Sequence, residues 1–552
     1  MTLDTVRHLT PEIVLVLAAL TIYVGGTMTR SAKPWAWIAG AGISLAAAAL
    51  ACLGGADPLA AYGRWLALTL GGTLVLLASR PLRTGGTPEY LGSLLLSLTG
   101  LMLMAGAGNL VLLFVGLELV SIPTYILLSL GRRDAASQEA AAKYFFLSVL
   151  ASAMFLYGLS FLYGTTGSIE LAGIRTALSH PEALPAGFES LTNVALVLIV
   201  AGLCFRVTAV PFHFYAPDVY QGTIHANAAM LSVLPKAAGL LALVRLVVVA
   251  MPNVEPHAWK IALAISALTM TLGNLLALWQ DNVRRLLAYS SIANAGYMLI
   301  GLTVGLAAGR SPGGWDGVGA MLFYLCVYAA ATLGAFAALT HLGSGRQQIE
   351  AVEELAGLGR THPLMAAAMA LCMLSLVGLP PAGGLWGKLF LFGSALGVEA
   401  GSGGPHRPWL IALAVLGVLN AAVAAYYYLR IVGVMYFRAP LAAPRAEGGR
   451  GAWLAAIACS LVVLALGVYP GPLMGRCSGA AQVQPMRLDP KPRKADNAGD
   501  FRAEGPAARP ALGNAFVVTD TLRCSGKSQS SLRDGGPHFN LCGTTNALPW
   551  AG

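Results

Sequence analysis

The chain has 552 residues, of which 56% are hydrophobic and 11% charged, and its formal net charge is +10. The charged share is about half that of an average soluble domain, which excludes a globule dissolved in water. Its basic residues are spread over connecting segments with no dense patch of interleaved aromatics, which excludes a nucleic-acid surface.

Apolar runs of about 20 residues, each able to cross a hydrocarbon core about 30 Å thick, recur from Glu12 to Tyr469. They predict an all-α, polytopic transmembrane helix bundle of about fourteen helices. In chain order the spans are 12–28, 35–54, 64–80, 90–107, 109–130, 145–164, 192–212, 226–250, 258–278, 289–308, 317–341, 364–397 (broken), 409–437 and 452–470. Arg7 and His8 precede the first run and no small-residue cleavage site follows it, so it reads as a retained helix and not a signal peptide. Lys and Arg favour the connections after odd-numbered spans, among them Arg30, Lys33, Arg80, Arg83, Arg132, Arg133, Arg284, Arg285, Arg438, Arg445 and Arg450. By the positive-inside rule this predicts N- and C-termini outside the cytoplasm.

The chain divides into helices 1–3 (residues 1–89), a five-helix block (90–250), a second five-helix block (251–437), a last helix (438–470) and a tail (471–552). The tail is rich in Gly, Pro, Ser and charge without a sustained apolar period, and reads as polar and disordered. Cys52, Cys204, Cys326, Cys372 and Cys459 lie in or beside apolar runs without metal-ligand spacing and read as small core residues. Cys477, Cys524 and Cys542 fall in the tail, where one disulfide and an odd thiol are allowed but no pairing can be read. Phosphate-binding loops, dinucleotide fingerprints, CxxC pairs and iron–sulfur spacings are all missing from the sequence, so any redox cofactor is expected on a partner.

Charges inside the apolar runs carry the chemistry, because each costs several kcal/mol at mid-bilayer unless it faces a partner or water. Glu118 is the one acid deep in a span; Arg206, Lys236 and Lys388 are the deep cations, while Arg245 and Arg430 lie nearer helix ends, where they can snorkel. Each deep charge is close to a proline that frees backbone carbonyls: Pro123, Pro211, Pro235 and the pair Pro380-Pro381. Charge and broken helix together mark a hydrated path. The seventh and twelfth spans are both broken, both carry a cation, and each is the fourth of its five-helix block, the pattern of an inverted-repeat transporter. Each charge also has a plainer reading as half of a structural ion pair, most of all Arg206, whose guanidinium does not release its proton. His213 and His225 flank the first break and are candidate relays, or polar residues lining a cavity.

At these residues a family resemblance emerges. The stretches Gly116 to Tyr125, Ala142-Lys143-Tyr144-Phe145, Pro211 to Gly222, Arg284 to Ile292 and Leu374 to Lys388 resemble the subunit N family of bacterial respiratory complex I. The likeness runs in order and spacing from the first helix to about residue 470, and the tail has no counterpart. It implies a membrane-arm subunit of a proton-translocating NADH:quinone oxidoreductase in the bacterial inner membrane, related to Mrp-type antiporter subunits. Its partners would be other membrane-arm subunits and the bilayer. FMN, iron–sulfur clusters and quinone would be held in other subunits, with no cofactor or metal bound by this chain. The resemblance also implies a proton path. Glu118 would pair with the seventh-helix cation, Lys236 would pass the proton toward Lys388, and Lys143 would match a family lysine at the start of the sixth helix. Two positions depart from the family: Arg206 stands where the seventh-helix lysine is usual, and Asn294 where a histidine is usual. Both remove a titratable group. Two further readings stay open, a Mrp-type cation/proton antiporter subunit and a structural membrane-arm subunit with an impaired channel.

Overall fold

The computed structural model describes residues 3–482, except 30–32, 54–56, 81–84, 133, 181–187, 252–254, 309–315, 344–347, 399–405 and 441–445. Among these residues helices are the only regular secondary structure, joined by turns and loops, with isolated backbone bridges Asn109–Glu170 and Asn282–Ala351. Thirteen helices are long and apolar enough to cross a membrane, and two shorter apolar helices stand where the broken twelfth span is expected.

The principal helices are α1 (Thr10–Met28), α2 (Lys33–Leu53), α3 (Pro58–Leu77), α4 (Thr87–Ala105), α5 (Leu110–Gly131), α6 (Ala135–Thr166), α7a (Phe188–Val207), α7b (Ala216–Gly222) and α8 (His225–Leu243, continued as a π-helix over Val244–Ala250). After these come α9 (Glu255–Ala277), α10 (Val283–Ala308), α11 (Gly317–Leu342), α12a (Pro363–Val377), α12b (Gly384–Leu396), α13 (Arg407–Phe437), α14 (Arg450–Val468) and α15 (Gly471–Ala481). Several starts are fixed by side-chain caps: Asp57, Asn109, Asp134 and Asp316 accept hydrogen bonds from the first-turn amides of α3, α5, α6 and α11.

α8, α10 and α11 are buried over most of their length, whereas α1, α2, α13 and α14 expose one face. Exposed faces, including that of α6, are themselves apolar, with Leu17, Phe146, Tyr157, Val418 and Leu419 standing outward, as lipid contact requires. Two helix pairs cross at matching close distances. In the first, α4 and α5 cross so closely that a Cβ on Gly116 would lie 2.7 Å from the Met104 nitrogen; in the second, a Cβ on Gly296 of α10 would lie 2.5 Å from the Met270 nitrogen of α9. Any side chain at either glycine would force the pair apart. α7 and α12 are broken, after Val207 and after Val377, and each break contains a cis X-Pro bond.

Three expectations need correction. Gly471–Ala481, assigned to the polar tail, is a helix packed against α3 and α11 with Cys477 and Ala480 buried, because its small residues admit close packing that a hydropathy window does not register. Arg245 does not snorkel: it is 5% exposed, pairs with Asp57 and donates from Nε to the Ala105 carbonyl at 2.6 Å. Cys52, read as a core residue, is exposed near the end of α2. Residues 483–552, including Cys524 and Cys542, lie outside the described residues.

Candidate functional site: a buried ionic and polar line

Glu118 on α5 and Arg206 on the last turn of α7a meet at 2.7 Å. The Arg206 side chain is 3% exposed and that of Glu118 22%. The guanidinium fans out over several acceptors: Nη1 donates to the Leu117 carbonyl at 3.0 Å and to the Ser121 hydroxyl, and Nη2 to the Ser152 hydroxyl at 3.0 Å. Ser152 in turn donates to Glu118 at 2.6 Å. A planar cation with several donors suits this cage better than an ammonium would. It is placed there because α7a stops at Val207, leaving Arg206 at the helix end facing the α5–α6 groove.

Lys236 is fully buried one residue beyond Pro235 in α8. Its Nζ donates to the Ser291 carbonyl and, at 2.6 Å, to the Ser291 hydroxyl, and stands 5.0 Å from the centre of the Tyr328 ring. The Tyr328 hydroxyl donates to the same Ser291 oxygen at 2.8 Å and to the Ser232 carbonyl at 3.1 Å. That carbonyl lies in the turn loosened by Pro235. Lys388, on the first turns of α12b, donates to the Leu376 and Val377 carbonyls at 2.9 and 2.8 Å. These are the last carbonyls of α12a, left without intrahelical donors by the break and carrying the negative end of its dipole. The Tyr297 ring lies 4.8 Å away. Among the described residues, neither lysine has a carboxylate within ion-pair distance.

One face of α10 runs from Ser291, the partner of Lys236, to Tyr297, beside Lys388. Ser290, Ser291, Asn294 and Tyr297 follow each other at helical spacing, and the six residues from Ser291 to Tyr297 rise about 9 Å. Asn294 accepts from the Tyr324 hydroxyl at 2.6 Å and donates to Tyr428 at 3.1 Å and to the Ser290 carbonyl at 2.8 Å. Tyr428 closes back on the Ser290 hydroxyl. Asn274 donates to Tyr297 at 2.9 Å and accepts from Tyr427 at 3.0 Å.

Lys143 is not part of this line. It lies nine residues before Ser152 on α6, about 13 Å along the axis, and lines a cleft of about 410 Å³ with Arg132, Glu139, Asp218, Gln221 and Glu350. There it pairs with Glu139 at 2.7 Å and Asp218 at 3.0 Å, and Asp218 also accepts from Arg285 at 2.8 Å. His213 is half-buried in the α7 break. His225, the first residue of α8, is buried and among the described residues has no hydrogen bond at either ring nitrogen.

The structure therefore brings Glu118 and Arg206 into contact, sets Lys236 and Lys388 at either end of a row of separate polar clusters on α10, and leaves Lys143 and both histidines apart. Ser121, Ser152, Ser291, Tyr324, Tyr328 and Tyr428 were not singled out in the sequence, where serine and tyrosine in an apolar run carry no sign of their partners. The pairs Arg64–Glu12 at 2.7 Å and Arg245–Asp57 join residues 52 and 188 apart in the chain and were equally invisible.

Comparison with known proteins gives this geometry a setting. Residues 107–403 match the family described as NADH:quinone oxidoreductase/Mrp antiporter, TM. The NADH-quinone oxidoreductase subunit N of Methylobacterium nodulans is 40% identical over 396 residues, covering 71% of this chain and 77% of that protein. That of Paramagnetospirillum magneticum is 35% identical over 497 residues, covering 87% and 98%. The chain belongs to the NADH-quinone oxidoreductase subunit N family. Among solved structures, a chain of respiratory complex I from Thermus thermophilus with bound aureothin superposes with a TM-score of 0.69 at 33% identity, covering 84% of this chain and 98% of that one. A chain of the Mrp complex from Dietzia shares the fold, with a TM-score of 0.70 at 22% identity. As a member of the subunit N family the chain is a multi-pass membrane protein and part of a multi-subunit membrane complex.

Proposed function

We propose that this chain moves protons across the bacterial inner membrane as an antiporter-like membrane-arm subunit of an NADH:quinone oxidoreductase, through Glu118, Arg206, Lys236 and Lys388. The carrying observation is that two buried lysines, with no carboxylate within ion-pair distance among the described residues, face carbonyls and a hydroxyl and flank one polar helix face. A permanent ion pair would tie each charge down. A lysine held by neutral groups is free to give up and regain its proton as charges nearby move.

In this reading Glu118 receives the drive. Two unit charges about 4 Å apart interact by roughly 4 kcal/mol at an effective dielectric of 20, so shifting Arg206 away from Glu118 changes the field along the line substantially. Arg206 itself gates and does not titrate. Electron transfer, with FMN, iron–sulfur clusters and quinone, belongs to other subunits, and both termini of this chain face away from the cytoplasm. The decisive experiment is proton pumping by vesicles holding the assembled complex, normalised to electron-transfer rate, for wild type and Lys236→Ala. Loss of pumping in an intact complex is the expected result, and pumping at the wild-type ratio overturns the reading.

A second reading, a structural subunit with an impaired channel, is favoured by one observation: Asn294, which does not titrate, sits midway along the α10 face. Under it, Lys236→Ala leaves the pumping ratio unchanged.

A further inference from the structure

The cleft at Lys143 and the enclosed Lys236 are separated by a single short helix. α7b spans only Ala216–Gly222. Its Asp218 and Gln221 form part of the cleft wall, and its Tyr220, 1% exposed, points inward. α7b packs against α10, which carries Ser291, the residue whose hydroxyl accepts from Lys236 at 2.6 Å, and among the described residues the buried Tyr220 hydroxyl has no hydrogen-bond partner. The ring is held by packing, 6.3 Å from that of Phe336. Leaving a buried hydroxyl unsatisfied costs about 1–3 kcal/mol, and evolution could have placed phenylalanine here without that cost. The helix is also pinned on its outer side: Asp218 is held by Lys143 and Arg285, and Gln221 accepts from Arg285 at 3.0 Å.

Accepting that Lys236 carries protons, as the functional reading above holds, we propose that the cleft is the aqueous mouth serving Lys236 and that the Tyr220 hydroxyl relays protons from it to Ser291 and Lys236. The transfer balances as a hop. The Tyr220 oxygen takes a proton from a hydronium ion in the cleft, which remains as water, and releases its own to the Ser291 oxygen, which passes its proton to the neutral Lys236 amine. Both oxygens end as they began, and Nζ gains one proton. Loosening either ion pair of Asp218 lets α7b tilt and water reach the phenol, so the pins act as the latch of the mouth.

Tyr220→Phe keeps the ring against Phe336 and removes only the hydroxyl. In vesicles holding the whole assembled complex it is expected to lower protons pumped per electron at least threefold and to raise the solvent deuterium isotope effect on turnover, because proton entry becomes limiting. If Tyr220→Phe pumps at the wild-type ratio while Lys236→Ala does not, the relay is refuted and the functional reading stands. If both pump normally, the functional reading falls and takes the relay with it. Pumping lost with an unchanged isotope effect makes Tyr220 a packing residue and also refutes the relay. Should the Phe variant fail to assemble, a fluorinated tyrosine incorporated at position 220 preserves size and makes the phenol more acidic. The pH profile of pumping then shifts if Tyr220 relays protons, and an unshifted profile overturns the proposal.

Discussion

The Arg206 guanidinium reaches Glu118 at 2.7 Å and, from the same end of α7a, also binds Ser152, Ser121 and the Leu117 carbonyl. Arg206 is thus the hub of a cage built from three helices, and Glu118 is its one acidic member. Removing it does more than unpair a carboxylate: two hydroxyls and a carbonyl lose their donor as well. Arg206→Ala is therefore expected to cut pumping per electron at least fivefold in assembled complex. Arg206→Lys, which keeps the charge, is expected to retain most of it, and an alanine variant that pumps as well as wild type defeats the role of the pair.

Glu118→Gln keeps the length of the side chain and its hydrogen bond from Ser152 while deleting the charge that faces Arg206. We expect normal incorporation into the complex, judged by native gels, with pumping strongly reduced. Normal pumping in a normally assembled complex would remove Glu118 from the line.

At Lys388 the two substitutions to compare are Ala and Arg. If a fixed cation capping the α12a carbonyls were all that mattered, the Arg variant would work. If the proton must come and go, both variants fail, since arginine holds its proton, and this second outcome is expected in the vesicle assay. The neighbouring Gly378 has φ +92° and lies so close that a Cβ would stand 2.9 Å from Lys388 Cδ. Gly378→Ala is expected to lower stability by about 1–2 kcal/mol through the left-handed backbone alone, read as a lower thermal midpoint of the purified complex, and to impair pumping by displacing Lys388.

Asn294 bridges Tyr324 and Tyr428 by accepting from one and donating to the other. Asn294→Leu breaks both bonds in a buried site, at about 1–3 kcal/mol for each group left unpaired, and is expected to slow pumping. Asn294→His restores a titratable relay with donor and acceptor capacity and is expected to pump at least as well as wild type. A Leu variant indistinguishable from wild type would exclude the α10 face as the link.

The C-terminal region separates into two parts by truncation. Removing 483–552 is expected to leave assembly and activity largely intact, since that composition offers little apolar surface to bury. Removing 471–552 also takes away α15, whose Cys477 and Ala480 pack into the bundle beside α3 and α11, and is expected to lower the amount of assembled subunit. Equal assembly of the two truncations would show that α15 is dispensable.

The sequence by itself determined the membrane class, the number of crossings, the two helix breaks and the identity of the deep charges. These are local properties: a run of about 20 apolar residues has one outcome in a bilayer, and Glu118, Arg206, Lys236 and Lys388 announce themselves by being charged where charge is expensive. Proline marked the breaks for the same local reason. Only the tertiary structure decided what each charge faces. It set Arg206 against Glu118 across 88 positions of chain, gave Lys236 and Lys388 neutral partners, drew Arg245 inward to Asp57, and moved Lys143 out to a charged cleft. It also revealed Tyr328, Asn294 and Tyr220 as buried polar groups of the interior. Hydroxyls and amides cost little in any single helix and take their meaning from neighbours on other helices, so their roles are a property of packing and not of the local sequence.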